Sequence, residues 1–177
     1  MSKLSSTFKP YVDKWYEGLK KINEPNQALG TVRADATLIA DQASEVNHGG
    51  HILVSDEPSA VGGSDKGPSP LEYFMASVGF CENVTFARYA ALNGLNFESL
   101  RTSVRGHWDR RGQVDFMKVE PAFTDFIVET RITSTDPIEK IRKVVKTVHE
   151  RCPMHSTITK ASRVTDKLFV NGLEVPM

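Results

Sequence analysis

The chain is poor in cysteine, carries no surplus of either charge and has no apolar run long enough to span a bilayer. Each shortage closes off a class of function. Two cysteines in 177 residues, Cys81 and Cys152, cannot build the disulfide framework of a small secreted scaffold. In a reducing compartment they are either two inert buried thiols or a transient redox couple. Lys plus Arg and Asp plus Glu both number 22, so the formal net charge is zero. No global field draws the protein toward nucleic acid or an anionic membrane, and neither is expected as a partner. The longest apolar run, around Phe74 to Cys81, falls far short of the ~20 residues that cross a bilayer, and Met1 to Pro10 lacks the apolar core of a signal peptide. A soluble, cytoplasmic protein is expected.

Two further gaps concern ligands. Gly62-Gly63 and Gly67 precede a helix, but without a strand-Gly-x-Gly-x-x-Gly-helix order or a following Lys-Ser/Thr they do not form a nucleotide cradle. His48 and His51 have no Cys or carboxylate cluster at ligand spacing, and Cys152-Pro153-Met154-His155 is a single Cys-x-x-His pair. No metal and no cofactor is expected.

What is present starts with Ser69-Pro70-Leu71-Glu72. Ser69 is a good N-cap, Pro70 suits the first helical position, and Glu72 completes a capping box. The helix continues to Leu92 and stops at Asn93-Gly94. Leu71, Phe74, Met75, Val78, Cys81 and Val84 recur in steps of three and four, which places Cys81 on the stripe that should face the core. Asp136-Pro137-Ile138-Glu139 repeats the cap, proline and glutamate pattern for a second helix. Its stripe runs Ile138, Ile141, Val145, Val148 and ends on Cys152. Pro153 biases Cys152 away from helical geometry and makes it a plausible N-cap of a further turn, where a helix dipole stabilises a thiolate.

Strands surround these helices in the sequence. Gly30 to Ala40 alternates as a half-buried strand, Asn47-His48-Gly49-Gly50 is a turn, and His51 to Val54 reads as the returning strand of a hairpin. Ser55 to Pro68 is a short Gly/Pro-dense loop with a defined shape. Asn96 to Trp108 and Phe123 to Thr133 alternate as strands of an antiparallel sheet, with a turn at Asp109-Arg110-Arg111-Gly112 leading to Val114-Asp115-Phe116-Met117, and Val164 to Val170 closes as a last strand before Asn171-Gly172. Arg105, His107, Arg110 and Arg111 read as a solvated strand face. At the other end, Phe8, Tyr11, Val12, Trp15, Leu19 and Ile22 form one face of an amphipathic helix that needs a core or a second subunit to lie on. Length and composition fit one core with an appendage.

Taken together, Asp56-Glu57-Pro58, Gly62-Gly63, Gly67-Pro68-Ser69-Pro70 running into the helix of Cys81, and Cys152-Pro153 after the second helix resemble the OsmC/Ohr superfamily of osmotically inducible and organic hydroperoxide resistance proteins. The resemblance implies an α+β, OsmC-like fold in which antiparallel sheets wrap two central helices of an intertwined homodimer. It divides the chain into an N-terminal helix extension, 1–29, and an OsmC-like domain, 30–177. It also implies a thiol peroxidase: Cys81 attacks an organic hydroperoxide or hydrogen peroxide, Cys152 resolves the sulfenic acid as a disulfide, and an external thiol or dithiol reductant resets the pair.

The family's most active branch orients its thiolate with an arginine from the first hairpin and a glutamate in the first turn of the central helix. Here Leu71 falls at the glutamate position, Glu72 belongs to the capping box, and no arginine occurs between Asp41 and His51. Arg33, Arg88 and Glu72 are the candidates to support the thiolate. Two other functions stay open at this level: a non-catalytic relative holding a small apolar or electrophilic ligand at the dimer interface, and an interaction protein acting through the N-terminal helix.

Overall fold

The Ser69 cap forms as the spacing requires. In the computed structural model, Ser69 has extended backbone, its hydroxyl accepts the Glu72 N–H at 3.4 Å, and the Glu72 carboxylate accepts the Ser69 N–H at 2.8 Å. Both halves of the capping box satisfy amides that a bare helix start would leave open. The helix that follows, α2, runs Pro70–Leu92, and Gly94 past its end takes φ +58°, a left-handed conformation suited to a residue without Cβ.

The structure describes residues 4–160 and the backbone of 168–170 and 173–175. Before α2 come α1 (Phe8–Lys20) and the strands β1 (Ala36–Ala40), β2 (Ala43–His48) and β3 (His51–Ser55). After it come β4 (Ser99–Trp108), β5 (Phe123–Thr133), α3 (Ile138–Arg151), α4 (Pro153–Ile158), β6 (Leu168–Val170) and β7 (Leu173–Val175). Three antiparallel sheets result, β1-β2-β3, β4-β5 and β6-β7. In the expected last strand, 164–167 and the turn Asn171-Gly172 lie outside the described residues, and 168–170 pair with β7.

The core lies where α2 and α3 cross the β4-β5 hairpin. Phe86, Ala90, Leu95, Phe97, Val144 and Val148 are buried together, and Phe86 meets Phe97 edge to face with ring centroids 5.2 Å apart. Burying one such ring stabilises the fold by about 1.5–3 kcal/mol. β5 has the bounds expected from its alternation, and β4 begins three residues later than expected.

Several expectations are corrected. The first strand is only Ala36–Ala40 and is exposed along its whole length; Asp41, at φ +41°, turns the chain into β2, a strand the sequence reading missed. The turns at Asp41-Gln42 and Gly49-Gly50 thus separate three strands rather than two, and Asn47 and His48, expected in the turn, pair with Ile52 and His51. Val114 to Met117 is irregular and follows a short 3-10 turn, Arg110–Gln113. The second helix starts at Ile138, not with Asp136 as a side-chain cap. Asp136 instead accepts the Asn96 N–H at 2.8 Å and the Lys140 ammonium at 3.1 Å, so a tertiary partner has taken it from the helix end.

The buried face of α2 is also rotated from the expected stripe. Val78, Gly79, Glu82, Thr85, Phe86, Ala90 and Ala91 are buried, whereas Leu71 and Val84 are exposed. The helix is apolar around most of its circumference, so its sequence does not select one face.

The Ser55 to Pro68 loop is held by Asp56. Its buried carboxylate accepts the N–H groups of Glu57, Ser64 and Lys66 at 2.8, 2.9 and 3.3 Å. Gly63 allows the chain to close: a Cβ there would lie 1.7 Å from the Glu57 carbonyl oxygen. The loop therefore fixes where α2 begins.

Candidate active site

Cys81 lies in the middle of α2 and Cys152 at the joint between α3 and α4. The joint follows from Pro153. Its ring excludes helical backbone for Cys152, which is extended at φ −73° and ψ 120°. The Cys152 N–H still donates to Val148 O at 2.8 Å, closing α3, while its carbonyl accepts the Ser156 N–H at 2.9 Å, opening α4. Because α2 packs against both α3 and α4, the two thiols become neighbours although 71 positions separate them in sequence.

Their surroundings differ. Cys152 is fully buried, and Cys81 is partly exposed. Burial pushes the Cys152 thiol up from its ordinary value, the N–H groups of His155 and Met154 pull against this, and the adjacent Cys81 thiol pushes it higher still. Cys152 thus favours its protonated form behind a more accessible partner.

The groups expected to support a thiolate are occupied elsewhere in the protomer. Arg33 is exposed and paired with Asp35 at 2.8 Å. Arg88 places its guanidinium over the Trp15 ring, 4.6 Å from the centroid, tying α2 to α1. Glu72 is held in the capping box, which keeps its carboxyl below the usual range through the Ser69 N–H and hydroxyl. Leu71 is partly exposed at the first turn.

A buried polar group next to Cys81 is one that sequence reasoning passed over. Glu82 follows Cys81 and is 2% exposed. Its Oε1 lies 2.6 Å from His155 Nδ1, joining α2 to α4 three residues after Cys152. The His155 ring stacks on His149 of α3, with centroids 4.6 Å apart and planes 8° from parallel. His149 Nε2 is buried without a hydrogen-bond partner. A signal was available: a charged residue in an otherwise apolar helix segment, and histidines three residues on either side of Cys152.

The two imidazoles face a cavity of about 420 Å³, whose other wall comes from Phe123, Phe126 and Val128 of β5 and Ile158 of α4. His107 and Arg105 do not join this group; they pair with Asp125 and Glu129 across the β4-β5 hairpin at 2.7 and 3.3 Å. Arg105 and His107 lie on a solvated strand face as expected, whereas Arg110 and Arg111 are exposed on the 3-10 turn that follows it.

Against known proteins, the family model for OsmC-like proteins matches residues 63–166, from the loop ahead of α2 past α4. The chain belongs to the OsmC-like family. A search of the curated proteins gives no match. Among solved structures, an OsmC-like protein from Mycoplasma pneumoniae superposes with a TM-score of 0.65 at 19% identity, over 75% of this chain and 89% of that one. An organic hydroperoxide resistance protein from Legionella pneumophila gives 0.56 at 20% identity, over 74% and 90%. A putative organic hydroperoxide resistance protein from Vibrio cholerae, with captopril in one of its active sites, gives 0.51 at 16%, over 87% and 100%. These likenesses establish the α+β OsmC-like fold. Among the described residues, no helix is long and apolar enough to cross a membrane.

Proposed function

We propose that this OsmC-like protein is a thiol peroxidase for organic hydroperoxides or hydrogen peroxide. The observation that carries the reading is the asymmetric thiol pair, with Cys81 partly exposed and Cys152 buried beside it. The Cys81 thiolate attacks the distal oxygen of ROOH; the O–O bond breaks, and ROH leaves after taking a proton. The resulting Cys81 sulfenic acid is attacked by Cys152, forming the disulfide and releasing water. An external dithiol then reduces the bridge and is itself oxidised. The Glu82–His155 contact holds the two cysteine-bearing elements in register for the second step.

A homodimer belongs to the same proposal, and with it the division of the chain into an extension, 1–29, and a domain, 30–177. Phe80 and Val84 of α2 and Leu38, Ile39, Ile52 and Leu53 of the β1-β2-β3 sheet are exposed in the protomer, apolar surface suited to a second copy.

Stopped-flow oxidation with cumene hydroperoxide tests the chemistry. Cys81 should react faster than a free thiol, a Cys81–Cys152 disulfide should appear by intact mass, and Cys152→Ser should accumulate a dimedone-trappable sulfenic acid. A Cys81 rate no greater than that of free cysteine, with no disulfide, refutes it. The engagement of Arg33, Arg88 and Glu72 elsewhere favours a second reading, a protein that binds a small apolar or electrophilic ligand. Native mass spectrometry of the Cys81→Ser variant distinguishes the two: a co-purified ligand supports binding, and an empty protein across preparations opposes it.

A further inference from the structure

We propose that Glu82, His149 and His155 form a binding site for a divalent cation of zinc-like chemistry, opening onto the cavity beside β5. One donor atom from each residue lies within 4.8 Å of the others, and the three come from α2, α3 and α4. Two imidazoles and one carboxylate make a mixed nitrogen and oxygen set. That set suits zinc and its first-row neighbours better than calcium or magnesium, which prefer oxygen alone. Three protein donors leave one coordination position, and the histidines line the 420 Å³ cavity through which an ion and a fourth ligand can enter.

Two observations point to a ligand rather than to packing alone. His149 Nε2 is buried with a lone pair or proton that nothing receives, the kind of orphan group that interiors rarely keep. Glu82 is a carboxylate at 2% exposure whose hydrogen-bonded partner is one imidazole, so a cation compensates a charge that burial otherwise makes costly.

Occupation requires a local rearrangement. Donors around a tetrahedral zinc stand about 3.3 Å apart, from metal bonds of ~2.0–2.2 Å, so the widest pair closes by at most roughly 1.5 Å, while Glu82 and His155, hydrogen-bonded at 2.6 Å, exchange that bond for bonds to the metal. Imidazole lone pairs lie in the ring plane, and two rings 8° from parallel do not aim at one point. The His149 ring must turn out of the stack. That movement breaks no hydrogen bond at Nε2, because none is made there.

The test uses the full chain stripped with EDTA and then given Zn²⁺ or Co²⁺ alone, read by calorimetry and by the visible cobalt spectrum. One ion per protomer is expected, with a tetrahedral cobalt spectrum lacking a thiolate charge-transfer band. Glu82→Gln, His149→Gln and His155→Gln should each weaken binding at least about tenfold. The Cys81→Ser/Cys152→Ser double variant should bind as the parent does. His149→Gln, at the partly buried cavity wall, is the decisive variant, with circular dichroism to confirm its fold. Absence of stoichiometric uptake, unchanged affinity in His149→Gln, or loss of binding in the double cysteine variant each overturns the site. Peroxide turnover is not read in this experiment, so its outcome and that of the thiol chemistry stand apart.

Discussion

Replacing Glu82 probes the contact that joins the two cysteine-bearing elements. Removing one partner of a buried hydrogen bond leaves the other unsatisfied at a cost of ~1–3 kcal/mol, and truncating the side chain also removes a buried methylene worth ~1 kcal/mol. In metal-free buffer the partner here is His155, which keeps 18% exposure and recovers some hydration, so Glu82→Ala should cost about 2–3 kcal/mol. For a chain of this length that lowers Tm by roughly 5–10 °C. Glu82→Gln retains an oxygen to accept the Nδ1 hydrogen and should lose only about 1 kcal/mol. Scanning calorimetry at one fixed protein concentration reads all three proteins on the same footing. Diamide oxidation should also form the Cys81–Cys152 bridge more slowly in Glu82→Ala than in Glu82→Gln. If the alanine variant melts within about 1 °C of the parent, or forms the disulfide at the parental rate, Glu82 neither stabilises the fold nor positions the thiols.

Gly63→Ala should destabilise the loop ahead of α2, because the added Cβ would need to sit 1.7 Å from the Glu57 carbonyl oxygen; loss of amide protection at Ser64 and Lys66 checks this, and parental protection refutes it. Asp136, held below its ordinary value of 3.8 by the Asn96 N–H and then by Lys140, contributes stability that is present above that value and is lost as pH falls through the lower folded one. Urea midpoints of the parent and Asp136→Asn should therefore converge in acid and separate at neutral pH. Phe86→Ala, which empties the centre of the α2-α3 core, should cost about 3–5 kcal/mol by chemical denaturation. Arg88→Ala should increase hydrogen exchange in α1, since its guanidinium covers Trp15.

Local chemistry was legible in the sequence where it had no tertiary competitor. The Ser69 cap needed only Glu72, three residues away, and formed as expected. Asp136-Pro137-Ile138-Glu139 has the same local pattern, yet the Asn96 N–H, 40 residues distant, drew the carboxylate away. The family resemblance supplied the fold; what it did not supply was the orientation of α2. With apolar residues on nearly every side, periodicity cannot rank its faces, and the buried one proved to carry Glu82 instead of Leu71 and Val84. The Glu82–His155–His149 group left only separate signals, a charge within an apolar helix and two histidines flanking Cys152, for a related reason. It joins three elements whose packing alone brings positions 82, 149 and 155 together.

The joint at Cys152 turns sulfur chemistry into something the backbone can report. One residue both ends α3, through its N–H to Val148, and starts α4, through its carbonyl, which accepts the Ser156 N–H. A displacement of the Cys152 side chain therefore loads two helix ends at once. The amide protons of Cys152 and Ser156 become paired sentinels of the thiol's state, and their exchange can be followed by NMR without any reagent touching the sulfur.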